Sequence, residues 1–258
     1  MAKNCPPTPL VVIAALLAAG SLGTAVPASA QSTGTSFFED FDTFSRTRWY
    51  VSDGWSNGAW QNCTWSKNQV SLSNGIVTLG FEKRPYNNRQ YSCAEIQTTA
   101  RFGYGVYEAR MKTDEGSGIN AAFFSYTNSP HDEIDFEVLA KDTSKVSLNT
   151  YVSGKPNHGT TVDVPGGTTQ FNHYAFVWEE GRLRWYVNGK LVHEATGSDL
   201  PTHPQKLMLS HWGSDTFTEW MGPFEDPGRK LIMEVDWVAY TAPGESCQFP
   251  ESVACALN

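Results

Sequence analysis

Apolar stretches long enough to cross a membrane are missing from this 258-residue sequence. The extended one at residues 10–19 falls short of the ~20 residues a spanning helix needs. Positive charge is also scarce: 19 Lys and Arg stand against 27 Asp and Glu, a net charge of −8. That balance argues against nucleic acid and anionic membrane surfaces as partners. The six His show no pairing at metal-ligand spacing, so no zinc site is expected. Beyond the N-terminal segment no stretch keeps a helical period, and without crossover helices a parallel α/β sheet is excluded. Internal repeats and low-complexity tracts are lacking too.

What is present begins with an export signal. Residues 1–30 combine Lys3, the apolar run and the small-residue ending Ala28-Ser29-Ala30, the pattern of a cleaved secretory leader. The remainder, 31–258, has the length of one all-β domain. Of the five Cys, Cys5 falls in the leader, leaving Cys63, Cys93, Cys247 and Cys255. An even number in an exported chain favours disulfides, with three connectivities open. The expected pairs are Cys63–Cys93 and Cys247–Cys255, the second stapling a 241–258 tail that Pro243, Gly244 and Pro250 mark as loop.

Short β-type runs fill the chain at 70–72, 76–81, 94–98, 105–111, 121–126, 133–139, 145–151, 173–178, 183–187, 190–194, 206–212 and 231–240, with Gly, Pro, Asn and Asp in the gaps. Asn188-Gly189 is the strongest hairpin signal. Many antiparallel strands without crossovers predict an all-β sandwich of jelly-roll type, a single domain. Nine Trp exceed what such a core needs. Trp178, Trp185 and Trp237 sit in alternating strands and are expected inside. Trp55, Tyr126 and Trp212 have polar or turn neighbours and suit stacking on sugar faces.

The segment Glu133-Ile134-Asp135-Phe136-Glu137 alternates three carboxylates with two large apolar residues. As a strand it buries Ile134 and Phe136, continued by Val138, and presents a wholly acidic opposite face. Three like charges repel, which lowers stability unless they serve chemistry, and paired carboxylates split glycosidic bonds. Four residues of strand put the Glu133 and Glu137 Cα atoms roughly 13 Å apart. Two side chains leaning together, each reaching ~4 Å, leave about 5 Å between carboxyls, the retaining rather than the inverting separation. One Glu is then the nucleophile and the other the acid/base, with Asp135 either orienting the nucleophile or raising the acid's pKa; spacing does not say which Glu does which. Two other fragments carry no chemistry. Gly54-Trp55-Ser56-Asn57-Gly58 matches a Ser-hydrolase elbow but no helix follows it, and Gly103-Tyr104-Gly105 reads as a turn rather than a dinucleotide loop.

The segment His131-Asp132-Glu133-Ile134-Asp135-Phe136-Glu137 resembles the E-x-D-x-E signature of glycoside hydrolase family 16. Similarity to bacterial endo-β-1,3-1,4-glucanases extends through Phe37-Phe38-Glu39, Asn62-Cys63-Thr64-Trp65, Cys93-Ala94-Glu95 and Trp185-Tyr186-Val187-Asn188-Gly189 to Asp236-Trp237-Val238. The resemblance implies a concanavalin-like jelly roll with an open cleft, Glu133 as nucleophile, Glu137 as acid/base and Asp135 assisting. It implies substrate contacts by Trp55, Asn57, Glu95, Phe124, Tyr126, Asn149, Tyr151 and Trp212, and His131, which departs from the family pattern, is expected to join them. Catalysis would need no cofactor, and one structural calcium would fall on the Asp236 side chain with the carbonyls of Asp40 and Gly75. His131, Gln97 and Ser210 depart from the lichenase pattern of Trp, Arg and Asn. With the Cys-bounded tail, they resemble the rhizobial branch of endoglycanases that depolymerise succinoglycan-type exopolysaccharide. The expectation is a secreted, monomeric hydrolase of such a polymer or of mixed-linkage β-glucan, free of the membrane after signal cleavage. Its rivals are a non-catalytic lectin-like module and a transglycosylase.

Overall fold

The computed structural model describes residues 34–257, so the leader assigned to residues 1–30 lies outside the described residues. In chain order the first strands are β1 (Phe37–Glu39), β2 (Trp49–Val51), β3 (Cys63–Trp65), β4 (Val70–Ser73), β5 (Ile76–Phe81) and β6 (Tyr91–Thr98). Next come β7 (Gly105–Thr113), β8 (Ile119–Asn128), β9 (His131–Leu139), β10 (Lys145–Val152) and β11 (Lys155–Asp163). The last are β12 (Asn172–Glu179), β13 (Arg182–Val187), β14 (Lys190–Thr196), β15 (Lys206–Gly213) and β16 (Leu231–Thr241). They form two sheets, an outer one in the order β14-β13-β12-β7-β16-β5-β4 with β1 on β16, and a cleft sheet in the order β11-β10-β9-β8-β15-β6-β2 with β3 on β6. All ladders are antiparallel except β3 on β6. The jelly-roll sandwich is what the run of alternating strands predicts. The one α-helix among the described residues is a single turn, α1 (Thr218–Met221).

The core lies between the sheets and follows from period two. Ala121 and Phe123 of β8, Ile134, Phe136 and Val138 of β9, and Leu207 and Leu209 of β15 all point inward against Tyr107, Phe176 and Trp178 of the outer sheet. The Phe123 and Phe136 rings stack at 6.3 Å, and Phe123 meets Phe176 at 5.6 Å. Burying each such ring contributes about 1.5–3 kcal/mol. Because the inward residues are fixed, every residue between them must face the cleft, which is how the core aims the site.

Each of the twelve expected runs lies within a strand, and Asn188-Gly189 turns β13 into β14 with both residues at positive φ. Four strands were not expected. The three-residue β1, β2 and β3 are too short to show alternation, and β11 carries Pro156, Asn157 and Gly159 because it is the edge of its sheet, where a missing donor is tolerated. One burial assignment is overturned. Trp178 and Trp185 are fully buried in the core, but Trp237 is on the outer surface against His173 and Phe249. A bulge between Val235 and Trp237 shifts the register of β16 on β7, so Val235 and Val238 face the core and Trp237 faces out.

Both expected disulfides are present. Cys63–Cys93 joins β3 to β6, and Cys247–Cys255 closes the tail. The tail packs on the outer sheet, where fully buried Glu108 of β7 accepts hydrogen bonds from Ser252 Oγ at 2.5 Å and Val253 N at 2.8 Å, with His173 Nε2 at 3.0 Å.

Candidate active site

Cross-strand register lays the cleft floor out in rows. In the first, Tyr151 of β10, Glu133 of β9, Tyr126 of β8 and Lys206 of β15 stand side by side. The second holds Asn149, Asp135, Phe124, Met208 and Gln97, and the third Ser147, Glu137, Ala122, Ser210 and Glu95. Neighbours within a row are about 5 Å apart. Short side chains at Ser147, Ala122 and Ser210 flank Glu137, leaving depth above it, while the first row is walled by tyrosines. The cleft over these rows encloses about 1160 Å³ and is lined by Glu133, Asp135 and Glu137 together.

The three acids differ in surroundings. Glu133 is bonded through Oε2 to His131 Nε2 at 2.8 Å. Glu137 accepts from the Asn120 amide at 3.1 Å, and its pKa is pushed up to about 8, first by burial and then by the Glu133 charge. Asp135 is 2% exposed and its pKa is raised well above the usual carboxylate range by burial, by the charges of Glu133 and Glu137, and by a hydrogen bond with Glu133. Two carboxyls share a hydrogen bond only when one carries a proton. A protonated Asp135 therefore serves Glu133 as donor. Of the two tasks expected for Asp135, orientation of its neighbour fits; the charge that raises Glu137 comes from Glu133. One site thus holds a group protonated near neutral pH beside a carboxylate with two donors, the pairing that acid-assisted nucleophilic displacement requires.

All nine expected substrate residues line this cleft: Trp55, Asn57, Glu95, Phe124, Tyr126, His131, Asn149, Tyr151 and Trp212. They are not equally available. Trp55 is 41% exposed on a loop, while Asn57 Oδ1 is engaged by Trp65 Nε1 at 3.3 Å. Glu95 is buried, accepts from Ser52 Oγ at 2.5 Å, and has its pKa raised by burial to about 7. His131 lies between Tyr126 and Tyr151 with Nε2 committed to Glu133. At the other end, Trp212 belongs to an aromatic cluster with Trp60 at 5.0 Å and Trp220 at 6.4 Å. Phe217, which joins this cluster, and Asn120, Arg101 and Lys206 were not anticipated. Asn120 could have been found only from the register that sets it beside the acids, since nothing in its own neighbourhood of sequence marks it.

The expected calcium ligands are treated differently by the fold. Gly75, in the turn between β4 and β5, lies close to the Asp40 carbonyl: a Cβ on it would sit 3.6 Å from that oxygen. Asp236, on β16 beside both elements, is paired instead with the guanidinium of Arg110 on β7. Its carboxylate already has a counter-charge, so the donor set as folded does not fit a dication.

The model of glycosyl hydrolases family 16 matches residues 57–239. The chain belongs to that family. This family 16 glycoside hydrolase is 54% identical over 231 residues to the endo-1,3-1,4-beta-glycanase ExoK of Rhizobium meliloti (strain 1021), the match covering 86% of this chain and 85% of that protein. It is 41% identical over 220 residues to the beta-glucanase of Bacillus subtilis (strain 168), covering 83% of this chain and 89% of that one. Among solved structures, a prokaryotic beta-1,3-1,4-glucanase (lichenase) derived from a mouse hindgut metagenome superposes with a TM-score of 0.77 at 38% identity, covering 81% of this chain and 99% of that chain.

Proposed function

We propose that this family 16 hydrolase is a retaining endo-β-glycanase that cleaves internal β-1,3/1,4 linkages of a polysaccharide. The observation that carries the reading is the acidic face of β9: Glu133 and Glu137 line one cleft, Glu133 in contact with His131 and Glu137 beside the Asn120 amide with its pKa pushed up to about 8. In the first step the Glu133 carboxylate attacks the anomeric carbon as the glycosidic C–O bond breaks, and the Glu137 proton passes to the leaving oxygen. In the second, Glu137 takes a proton from water, water attacks the same carbon, and Glu133 is released. Two inversions leave the configuration unchanged. The cleft is open enough for a chain to lie across the rows with Trp55 and the Trp60–Trp212–Trp220 cluster as stacking surfaces.

The substrate ranked first is bacterial exopolysaccharide of the succinoglycan type, with mixed-linkage β-glucan second. The high identity to a rhizobial endo-1,3-1,4-beta-glycanase supports that order. Secretion belongs to the same reading and is supported by two disulfides, which persist in oxidising compartments; a monomer free of the membrane is part of that reading, and among the described residues no helix is long and apolar enough to cross a membrane. Catalysis needs no cofactor here. A structural calcium on Asp236 and the carbonyls of Asp40 and Gly75 would first have to free the carboxylate from Arg110.

The test is to incubate the protein with succinoglycan, lichenan and laminarin in parallel and analyse the fragments. Release of new reducing ends with retained configuration is expected, and Glu133→Ala and Glu137→Ala should each lower turnover by about 10³-fold or more. Binding without cleavage would make the chain a lectin-like module; transfer to sugar acceptors in preference to water would make it a transglycosylase.

A further inference from the structure

Glu133 and Glu137 are the same residue type, on the same face of the same strand, in the same cleft, yet the proposed chemistry needs one anionic and the other protonated. The structure supplies an asymmetry at His131. Its Nε2 stands 2.8 Å from Glu133 Oε2, whereas the donor on Glu137 is the neutral amide of Asn120. Among the described residues His131 is the one ionisable cation in hydrogen-bond contact with the three acids of β9.

The imidazole is held for this contact from three sides. It stacks on Tyr151 of β10 with centroids 5.2 Å apart and planes 18° from parallel, and meets Tyr126 of β8 edge-on at 5.1 Å. The Ser153-Gly154 turn closes over its other edge: Gly154 N donates to the His131 carbonyl at 2.8 Å, and a Cβ on Gly154 would lie 3.6 Å from Nδ1. Both tyrosines are themselves row neighbours of Glu133. Ring and carboxylate are therefore locked in one frame.

We propose that His131 is the positioning residue of the nucleophile, donating from Nε2 to Glu133 so that this acid, and not Glu137, is the anion of the pair. The inference rests on the reading of Glu133 as nucleophile. The charged and titratable groups facing the ring are Glu133 and Asp132 on its own strand, Tyr126 on β8 and Tyr151 on β10. Asp132 is buried and occupied by Ser153 N, Thr202 N and His203 Nδ1. Tyr151 has its phenol pushed up to about 12 by burial and by the acids, and stays neutral. The hydrogen bond to Glu133 comes first in raising the pKa of His131, which extends to higher pH the range over which the donor is cationic. A cationic donor stabilises an adjacent carboxylate anion. Above the imidazole pKa the neutral ring can still donate from Nε2, and the effect weakens rather than vanishes.

The test separates donor from ring. His131→Phe keeps an aromatic plane between the tyrosines and removes the donor; His131→Gln keeps a neutral donor of similar reach. On whichever of succinoglycan or lichenan is cleaved, His131→Phe should lower kcat/KM about 10- to 100-fold, mainly through kcat, as the loss of a hydrogen bond to a charged group implies. The acid limb of its pH profile should move to higher pH, because an unsupported carboxylate needs higher pH to ionise. His131→Gln should recover part of the rate. Independently of any substrate, the His131 imidazole followed by NMR should titrate above 6.5 in the wild type, as its raised pKa requires, and move down in Glu133→Gln. An acid limb in His131→Phe that superimposes on the wild type, with Glu133→Ala inactive, overturns the proposal alone, as does an imidazole titration unmoved by Glu133→Gln. Wild-type turnover in Glu133→Ala would instead overturn the nucleophile assignment beneath it.

Discussion

At the scale of single residues, function depends on which acid keeps its proton. Glu137 is raised to about 8 by burial and by the neighbouring anion, and the Asn120 amide pulls in the opposite direction because it favours the charged form. Removing that amide in Asn120→Ala should therefore raise the pKa of Glu137 further. The alkaline limb of kcat/KM, which reports loss of the acid's proton, should shift to higher pH, while kcat falls about tenfold from lost orientation. Rate measurements from pH 5 to 10 check this; an alkaline limb that stays put or moves down would remove Asn120 from control of the acid. The acids themselves are legible in the sequence because a strand alternates, whereas Asn120 is not, since it meets Glu137 only through the pairing of β8 with β9.

At the scale of elements, strands with clean alternation announce themselves, and three-residue strands or one interrupted by Pro and Gly do not. β11 closes one side of the cleft with Thr160 and Thr161, but its Pro156, Asn157 and Gly159 are tolerated only because no further strand needs their donors on the outer side. On the outer sheet, the bulge in β16 turns Trp237 outward, and the adjacent Asp236 meets Arg110 of β7, whose guanidinium also lies 4.6 Å from the Phe171 ring centroid. This pairing predicts that calcium matters little to the wild type: chelation should leave Tm within about 1 °C, and Arg110→Met, which frees the carboxylate, should create calcium dependence. Saturation at 100 times Kd adds about 2.7 kcal/mol, roughly 5–10 °C for a domain of this size. A comparable fall in the wild-type Tm on adding chelator would show that calcium displaces Arg110.

At the scale of the whole molecule, the site weakens the fold that carries it. Glu137 and Glu95 have folded-state pKa values of about 8 and about 7, raised from 4.5 by burial. For a raised group, stability is fully present below the unfolded pKa and is lost as pH climbs through the folded one. Buried His211 runs the other way: its pKa is lowered from 6.5 to about 4 by burial, so stability is lost as pH falls through that range. Together these groups place the stability maximum at about pH 4–5, because above the unfolded carboxylate value two Glu lose stability against one His that gains it, on the acid side of the window in which Glu137 does its work. Calorimetry from pH 3 to 9 should show Tm declining above that maximum. Glu137→Gln, inactive but without a buried charge, should flatten the decline, with a larger gain at pH 8.5 than at pH 5. A gain independent of pH would refute the assignment of that penalty to Glu137.

Alternation of apolar and polar residues was enough to determine twelve of the sixteen strands, the sandwich, the inward face of β9 and hence the three acids on its other face, because a core that must bury Ile134, Phe136 and Val138 leaves Glu133, Asp135 and Glu137 no other direction. Cysteine number and loop chemistry pointed to both disulfides. Tertiary structure alone decided what stands beside each acid. The pairing of β8, β9 and β10 brings Asn120 to Glu137 and the tyrosines to Glu133, and a bulge moves Trp237 to the outside. Proton affinity is set by burial and by neighbours within a few ångströms, and those neighbours come from strands whose order and register a linear pattern does not contain.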